Sequence, residues 1–99
     1  MIKRKLLSKI ELGKELKRLP GWKVQKGKLH REFKFKTFVE AFGFMTSVAI
    51  EAEAMNHHPD WFNVYNLIRV DLMTHDLGGI GTFDVELARK MNRLYGKRG

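Results

Sequence analysis

The spacing of the apolar residues constrains the fold most, because its period switches repeatedly between helical and strand-like along the 99-residue chain. In three segments apolar residues recur at steps of three and four, which is typical of a helix with one buried face. Between these segments they alternate with polar residues, as in half-buried strands. The pattern predicts helices over residues 8–19, 37–55 and 82–95, and strands over residues 22–25, 29–36, 61–65 and 67–74.

The predicted element order is therefore α-β-β-α-β-β-α. Two hairpins with a helix between them indicate an α+β fold, in which a four-stranded antiparallel sheet has helices packed on one face. A chain of this length forms one domain, residues 1–99. Its core is small, so we expect the protein to form homo-oligomers.

Local signals mark the ends of the helices. Residues 8–11 read Ser-Lys-Ile-Glu, which matches the capping box that opens a helix, and Pro20 with Gly21 should end that helix. Pro59 prevents continuation of the central helix. Thr82 is the expected N-cap of the last helix, with Asp84 favourable to the dipole of its first turn.

The same periodicity predicts which apolar side chains are buried. For the first helix these are Leu6, Ile10, Leu12, Leu16 and Leu19. For the first hairpin they are Trp22, Val24, Leu29, Phe33 and Phe35. For the central helix they are Phe38, Ala41, Phe42, Met45, Val48, Ala49 and Ala52.

Composition narrows the class of protein. The chain has no cysteine, which excludes disulfides, thiolate metal sites and cysteine nucleophiles and fits the reducing cytoplasm. It lacks the apolar run of a signal peptide or a membrane span, so we expect no membrane partner. The net charge of +8 indicates either a surface for nucleic acid or another anion, or a lysine-rich solvated surface. The spread of the charges favours the solvated surface.

Histidines supply the chemical signal. His57, His58 and His75 fall at the predicted ends of the central helix and the last strand, with Glu53 one helical turn before His57. Imidazoles exchange protons near neutral pH, so the cluster favours a proton-transfer site. A three-histidine metal site and a helix-capping role remain alternatives, although the spacing matches neither H-x-H nor H-E-x-x-H. His30 is expected to be an ordinary surface histidine.

These residues also resemble a known family. Glu53, the run His57-His58-Pro59, Tyr65, His75 and Asp84 have the spacing of the pterin-4a-carbinolamine dehydratase signature. Flanking segments at residues 19–22, 31–35, 61–66 and 74–79 are similar to family segments as well, so the resemblance covers nearly the whole chain. One position departs from it. Animal members carry an arginine directly before the aspartate that aligns with Asp84, where this chain has Phe83.

The resemblance implies a hydro-lyase that dehydrates 4a-hydroxytetrahydropterin to quinonoid dihydropterin in tetrahydropterin recycling, with no metal or other cofactor. It implies that His57 and His75 donate protons to the departing hydroxyl, serving substrate epimers hydroxylated on opposite ring faces. His58 would bind substrate and assist at N5. Glu53 would orient an imidazole or bind the pterin, and Asp84 would orient His75.

Further roles are implied more loosely. Trp61 and Tyr65 would either stack on the pterin or pack in the sheet, and Thr74 would bind substrate or orient the site. The family resemblance also implies a homodimer or homotetramer. Animal relatives act as dimerisation cofactors of a homeodomain transcription factor, so a coactivator-like interaction role is the alternative function. The intact histidine set argues against that alternative, and the lack of a recognition-helix signature argues against nucleic acid.

Overall fold

The computed structural model describes residues 2–96 and contains a four-stranded antiparallel sheet and three helices. The helices are α1 (Lys9–Leu16), α2 (Phe38–Met55) and α3 (Thr82–Gly96). The strands are β1 (Lys23–Gln25), β2 (Lys28–Lys34), β3 (Asp60–Val64) and β4 (Leu67–Leu72), and a short 3₁₀ turn covers His75–Leu77. This order confirms the predicted α+β fold. Within residues 2–96, no helix has the length and apolar character needed to cross a membrane.

The sheet has the strand order β1-β2-β4-β3, so β1 and β3 lie at its edges. In the antiparallel pairing of β2 with β4, Leu29 lies opposite Leu72 and Phe33 opposite Ile68. Strand β3 runs antiparallel to β4 with Asp60 opposite Asp71. The beginning of β3 and the end of β4 therefore meet at the same end of the sheet.

The core lies between one sheet face and helices α2 and α3. Alternate residues of β2 and β4 point to this face and are almost fully buried: Leu29, Phe33, Ile68, Val70 and Leu72. Helix α2 contacts β4 and helix α3 contacts β2. The rings of Phe33, Phe44 and Tyr95 pack together, with 4.8 Å between the Phe33 and Phe44 centroids and 5.0 Å between those of Phe33 and Tyr95. This packing fixes both helices relative to the sheet.

Several predictions of buried positions were wrong. Ile10 is 74% exposed, and Leu6 and Val24 are also exposed, because α1 and β1 lie at the margin of the fold. On α2, the predicted stripe fails at Phe38, Phe42 and Ala49, which are exposed. The prediction is confirmed at Ala41, Val48 and Ala52, and Phe44, which it missed, completes the buried stripe. Helix α2 is apolar on two faces, and periodicity alone could not decide which of them packs against the sheet.

The helix ends match the sequence signals in part. The capping box of α1 is confirmed, since Glu11 N–H donates to Ser8 Oγ and Ser8 N–H donates to Glu11 Oε1. That helix ends at Leu16, however, before the predicted residue 19. Thr82 was wrongly assigned as the N-cap of α3, because it is already helical and the carbonyl of Gly81 accepts the Val85 N–H.

Candidate active site

All three predicted site histidines line one cavity at the end of the sheet where β3 begins and β4 ends. His57 and His58 lie between α2 and β3, and His75 follows β4. The antiparallel pairing of β3 with β4 brings these two chain segments together. The cavity has a volume of about 260 Å³ and is lined by Arg4, Asn56, His57, His58, Met73, Thr74, His75 and Asp76.

A left-handed turn at Asn56 separates the two adjacent histidines. Asn56 has φ 52° and ψ 43°, and its N–H donates to the carbonyls of Ala52 and Glu53. Asparagine is among the few residues that adopt this conformation readily at a helix C-terminus. The turn ends the helical path, so that His57 is buried, with 8% of its surface exposed, while His58 is exposed.

Asp84 holds the His57 ring. Its carboxylate is fully buried, and Oδ1 lies 2.6 Å from His57 Nε2. Oδ2 accepts hydrogen bonds from Thr74 Oγ1 and Gly81 N–H, both at 2.8 Å. Because a carboxylate can only accept a hydrogen bond, the Nε2–H group of His57 is the donor in this contact. Nδ1 is then the ring nitrogen that is available for proton exchange. The sequence implied that Asp84 orients His75, and the structure corrects the partner to His57.

Glu53 orients the second histidine of the pair. Its Oε1 lies 2.8 Å from His58 Nε2, and both side chains are exposed. The sequence placed Glu53 on one helical face with His57, four residues later. That expectation was wrong, because the left-handed turn at Asn56 breaks the helical spacing and carries His57 towards α3 instead. The imidazole that Glu53 contacts is therefore that of His58.

His75 is positioned by a tight turn rather than by a side-chain partner in the described residues. Thr74 N–H donates to the Gly79 carbonyl at 2.7 Å, and the Thr74 carbonyl accepts from the N–H groups of Leu77 and Gly78. Gly78 has φ 77°, a conformation that glycine adopts without strain. Thr74 thus makes two kinds of contact here, since its backbone shapes the turn and its hydroxyl donates to Asp84.

The two predicted stacking residues lie away from this cavity. Trp61 is half-buried on β3 opposite Val70 and packs against the core. Tyr65 is exposed in the turn after β3, with φ 51°. Among the described residues, neither belongs to the lining of this cavity, so their stacking on the pterin stays a prediction.

His30 departs from its expected surface role. It is buried, and its Nδ1 lies 2.9 Å from Asp71 Oδ1, within the sheet and outside the cavity lining. The expectation failed because β4 lies beside β2 and supplies Asp71 directly opposite His30. Within residues 2–96, no three histidine or carboxylate side chains converge in an arrangement that could hold a metal ion.

Arg4 lines the cavity although no sequence signal identified it. The segment before α1 lies along the start of α3, where Leu7 N–H donates to the Ile80 carbonyl and Thr82 N–H donates to the Lys5 carbonyl. This brings the Arg4 guanidinium to Asp76, to which it donates a hydrogen bond. That bond holds the pKa of Asp76 below its ordinary value and raises the pKa of Arg4. In the sequence, Arg4 is one cation of a basic run, 72 positions from its partner.

Phe83 packs against the His57 ring from the first turn of α3. The two ring centroids are 5.9 Å apart and the planes meet at 82°, an edge-to-face arrangement. His57 is therefore fixed on one side by the carboxylate of Asp84 and on another by an aromatic ring.

Comparisons with known proteins agree over most of the chain. The family model described as "Pterin 4 alpha carbinolamine dehydratase" matches residues 5–94. A relative from Solibacter usitatus is 56% identical over 88 residues, covering 89% of this chain and 93% of the relative. One from Synechococcus is 57% identical over 76 residues, covering 77% and 82%. Both are described as "Putative pterin-4-alpha-carbinolamine dehydratase".

A solved structure is also similar. It is described as a transcriptional coactivator/pterin dehydratase from Brucella melitensis, and it matches with a TM-score of 0.88 and 44% sequence identity. The match covers 91% of this chain and 98% of the other.

Proposed function

We propose that this chain, which belongs to the pterin 4 alpha carbinolamine dehydratase family, removes water from 4a-hydroxytetrahydropterin and so serves tetrahydropterin recycling. One observation carries the proposal beyond family membership. Three histidines line a single cavity, and the buried Asp84 holds one of them with a defined ring nitrogen left for proton exchange.

The reaction needs two proton transfers and no change of oxidation state. The C4a–O bond breaks as the departing hydroxyl gains a proton and leaves as water. N5 loses its proton, and its electron pair forms the C4a=N5 double bond of the quinonoid product. A positioned acid or base contributes roughly 10²–10⁴-fold to such a step. Imidazoles fit this task because their ordinary pKa lies near neutral pH.

We assign the proton donors to His57 and His75. His57 gives a proton from Nδ1 to the departing hydroxyl while its Nε2 remains on Asp84, which stabilises the protonated ring electrostatically. His75 enters the same cavity from the turn after β4 and serves as the second donor. His58, held by Glu53, binds the substrate and takes the proton from N5.

A stopped-flow assay of enzymatically generated 4a-hydroxytetrahydropterin tests this proposal. Chelator-treated protein should accelerate dehydration, and the double variant His57→Ala/His75→Ala should lose most of the acceleration. His30→Gln is a matched control, because it removes a histidine that has an aspartate partner but lies outside the cavity lining. No acceleration by folded protein would contradict the proposal.

An interaction function is the second candidate. The similar Brucella structure carries a description that includes transcriptional coactivator, and α2 exposes an apolar stripe of Phe38, Val39, Phe42 and Ile50. Such a surface fits self-association or a partner protein. A folded protein that assembles into a stable homodimer or homotetramer but leaves the substrate unchanged would favour this candidate.

A further inference from the structure

Building on the proposed function, we propose that Arg4 and Asp76 form a recognition pair that binds the pyrimidinone edge of the pterin. Both side chains line the histidine cavity. The pair would bind the pterin at the ring edge that lies opposite its substituent, while the histidines act at C4a and N5. Arg4 and Asp76 would thus be substrate-contacting residues that determine which bicyclic ring system the site accepts.

The backbone around Arg4 is anchored on both sides, which places its side chain reproducibly. Thr82 Oγ1 donates to the Lys3 carbonyl at 2.6 Å and accepts from Lys5 N–H at 3.2 Å. Thr82 N–H also donates to the Lys5 carbonyl at 2.9 Å. The residues before and after Arg4 are therefore both bonded to the first residue of α3, the helix whose third residue is the buried Asp84. An arginine held in this way can act as a fixed donor rather than a mobile surface charge.

The pair presents the hydrogen-bonding groups that a pterin requires. The pyrimidinone edge carries a 2-amino donor, an N3–H donor and a 4-oxo acceptor, in that order. A carboxylate accepts from two neighbouring N–H groups, and a guanidinium beside it donates to the carbonyl oxygen. A guanidinium has five N–H donors, so one hydrogen bond to Asp76 leaves donor capacity for the pterin carbonyl.

The ion pair is poorly suited to a purely stabilising role. The two side chains are 41% and 68% exposed, and exposed ion pairs contribute little to folding. The hydrogen bond from Arg4 does, however, hold the pKa of Asp76 below its ordinary value, which favours the charged form of the carboxylate. Asp76 also directly follows His75 in the chain, so a ring edge bound to Asp76 would lie near one of the two proposed proton donors.

Equilibrium titrations with two unreactive ligands test the pair. Pterin carries the 2-amino group, and lumazine carries a 2-oxo group in its place. We expect wild-type protein to bind pterin roughly tenfold more tightly than lumazine, as for one hydrogen bond to a charged group. Asp76→Asn should abolish this preference. Arg4→Gln should lower the affinity for pterin and for lumazine roughly tenfold, because both ligands keep the 4-oxo group.

One exposed ion pair, between Arg69 and Glu32, lies outside the cavity lining and supplies two matched controls. Arg69→Gln removes its basic partner and Glu32→Gln removes its acidic partner. Both controls should bind the two ligands as wild type does. In the dehydration assay, Arg4→Gln and Asp76→Asn should raise KM, while kcat stays within about twofold because the histidines are unchanged.

The outcomes separate this inference from the proposed function. If both variants dehydrate the substrate and bind pterin and lumazine as wild type does, the recognition pair alone is overturned. A lower kcat at unchanged KM would also overturn it, since the pair would then act by positioning His75. Wild-type protein that neither binds pterin nor accelerates dehydration would overturn the proposed function together with the pair.

Discussion

Replacing Asp84 by asparagine keeps His57 but removes the carboxylate that orients its ring, so the variant tests whether that orientation matters for activity. The aspartate makes three hydrogen bonds, to His57 Nε2, Thr74 Oγ1 and Gly81 N–H. An asparagine that keeps its oxygen towards Thr74 and Gly81 turns its NH₂ group towards Nε2. The neutral imidazole must then accept at Nε2 and carry its proton at Nδ1, and a protonated ring faces a donor instead of a carboxylate.

We expect both activity and stability to fall in this variant. Loss of the protonated imidazole as an acid should lower kcat roughly 10²-fold, within the range for one general acid. The free energy of unfolding should fall by about 2 kcal/mol, because hydrogen bonds to a buried carboxylate are replaced by weaker bonds to a neutral amide. Stopped-flow dehydration and urea unfolding measure the two effects separately.

The matched control makes the same exchange in the other His–Asp pair. Asp71→Asn alters the partner of His30, outside the cavity lining, and should leave kcat near the wild-type value. A folded Asp84→Asn variant with kcat within twofold of wild type would refute the reasoning. His57 would then need no carboxylate to act, or would not be an acid in this reaction.

Three further predictions concern the segments that shape the site and its surroundings. Asn56→Ala should lower the free energy of unfolding by about 1 kcal/mol in urea titrations, because alanine fits φ 52° poorly, and Asn56→Gly should cost less. Gly21→Ala should cost about 2 kcal/mol or more in the same assay, since φ is 89° and a Cβ would lie 2.5 Å from the Arg31 guanidinium; a change below 0.5 kcal/mol would contradict this. Asp76 has a lowered pKa through its bond from Arg4, so its contribution to stability is present above its ordinary pKa and is lost as pH falls through the lowered value. In the acid range the free energy of unfolding should therefore fall less steeply with decreasing pH for Asp76→Asn than for wild type.

Much of the fold follows from local signals in the sequence. The change of apolar period determines the order of helices and strands, and the serine and glutamate of the capping box fix the start of α1. The convergence of His57, His58 and His75 also follows, because antiparallel neighbouring strands return the chain to the same end of the sheet. These features depend on spacing along the chain, which the sequence contains directly.

The pairing of charged groups could not be predicted in the same way. Glu53 and His57 have helical spacing, but one left-handed residue, Asn56, turns His57 to Asp84 and leaves His58 for Glu53. The left-handed conformation of one residue thus changes the carboxylate partner expected for each histidine. The cavity position of Arg4 depends on how the segment before α1 docks on α3, a tertiary contact without a local pattern.

The measurement that tests the central claim most directly is dehydration of the two separated 4a-hydroxy epimers by His57→Gln and His75→Gln variants. If the two histidines serve opposite faces of the ring, each variant should slow one epimer roughly 10²-fold and the other much less. Equal and near-normal rates for both epimers in both folded variants would contradict the assignment of these histidines as the proton donors.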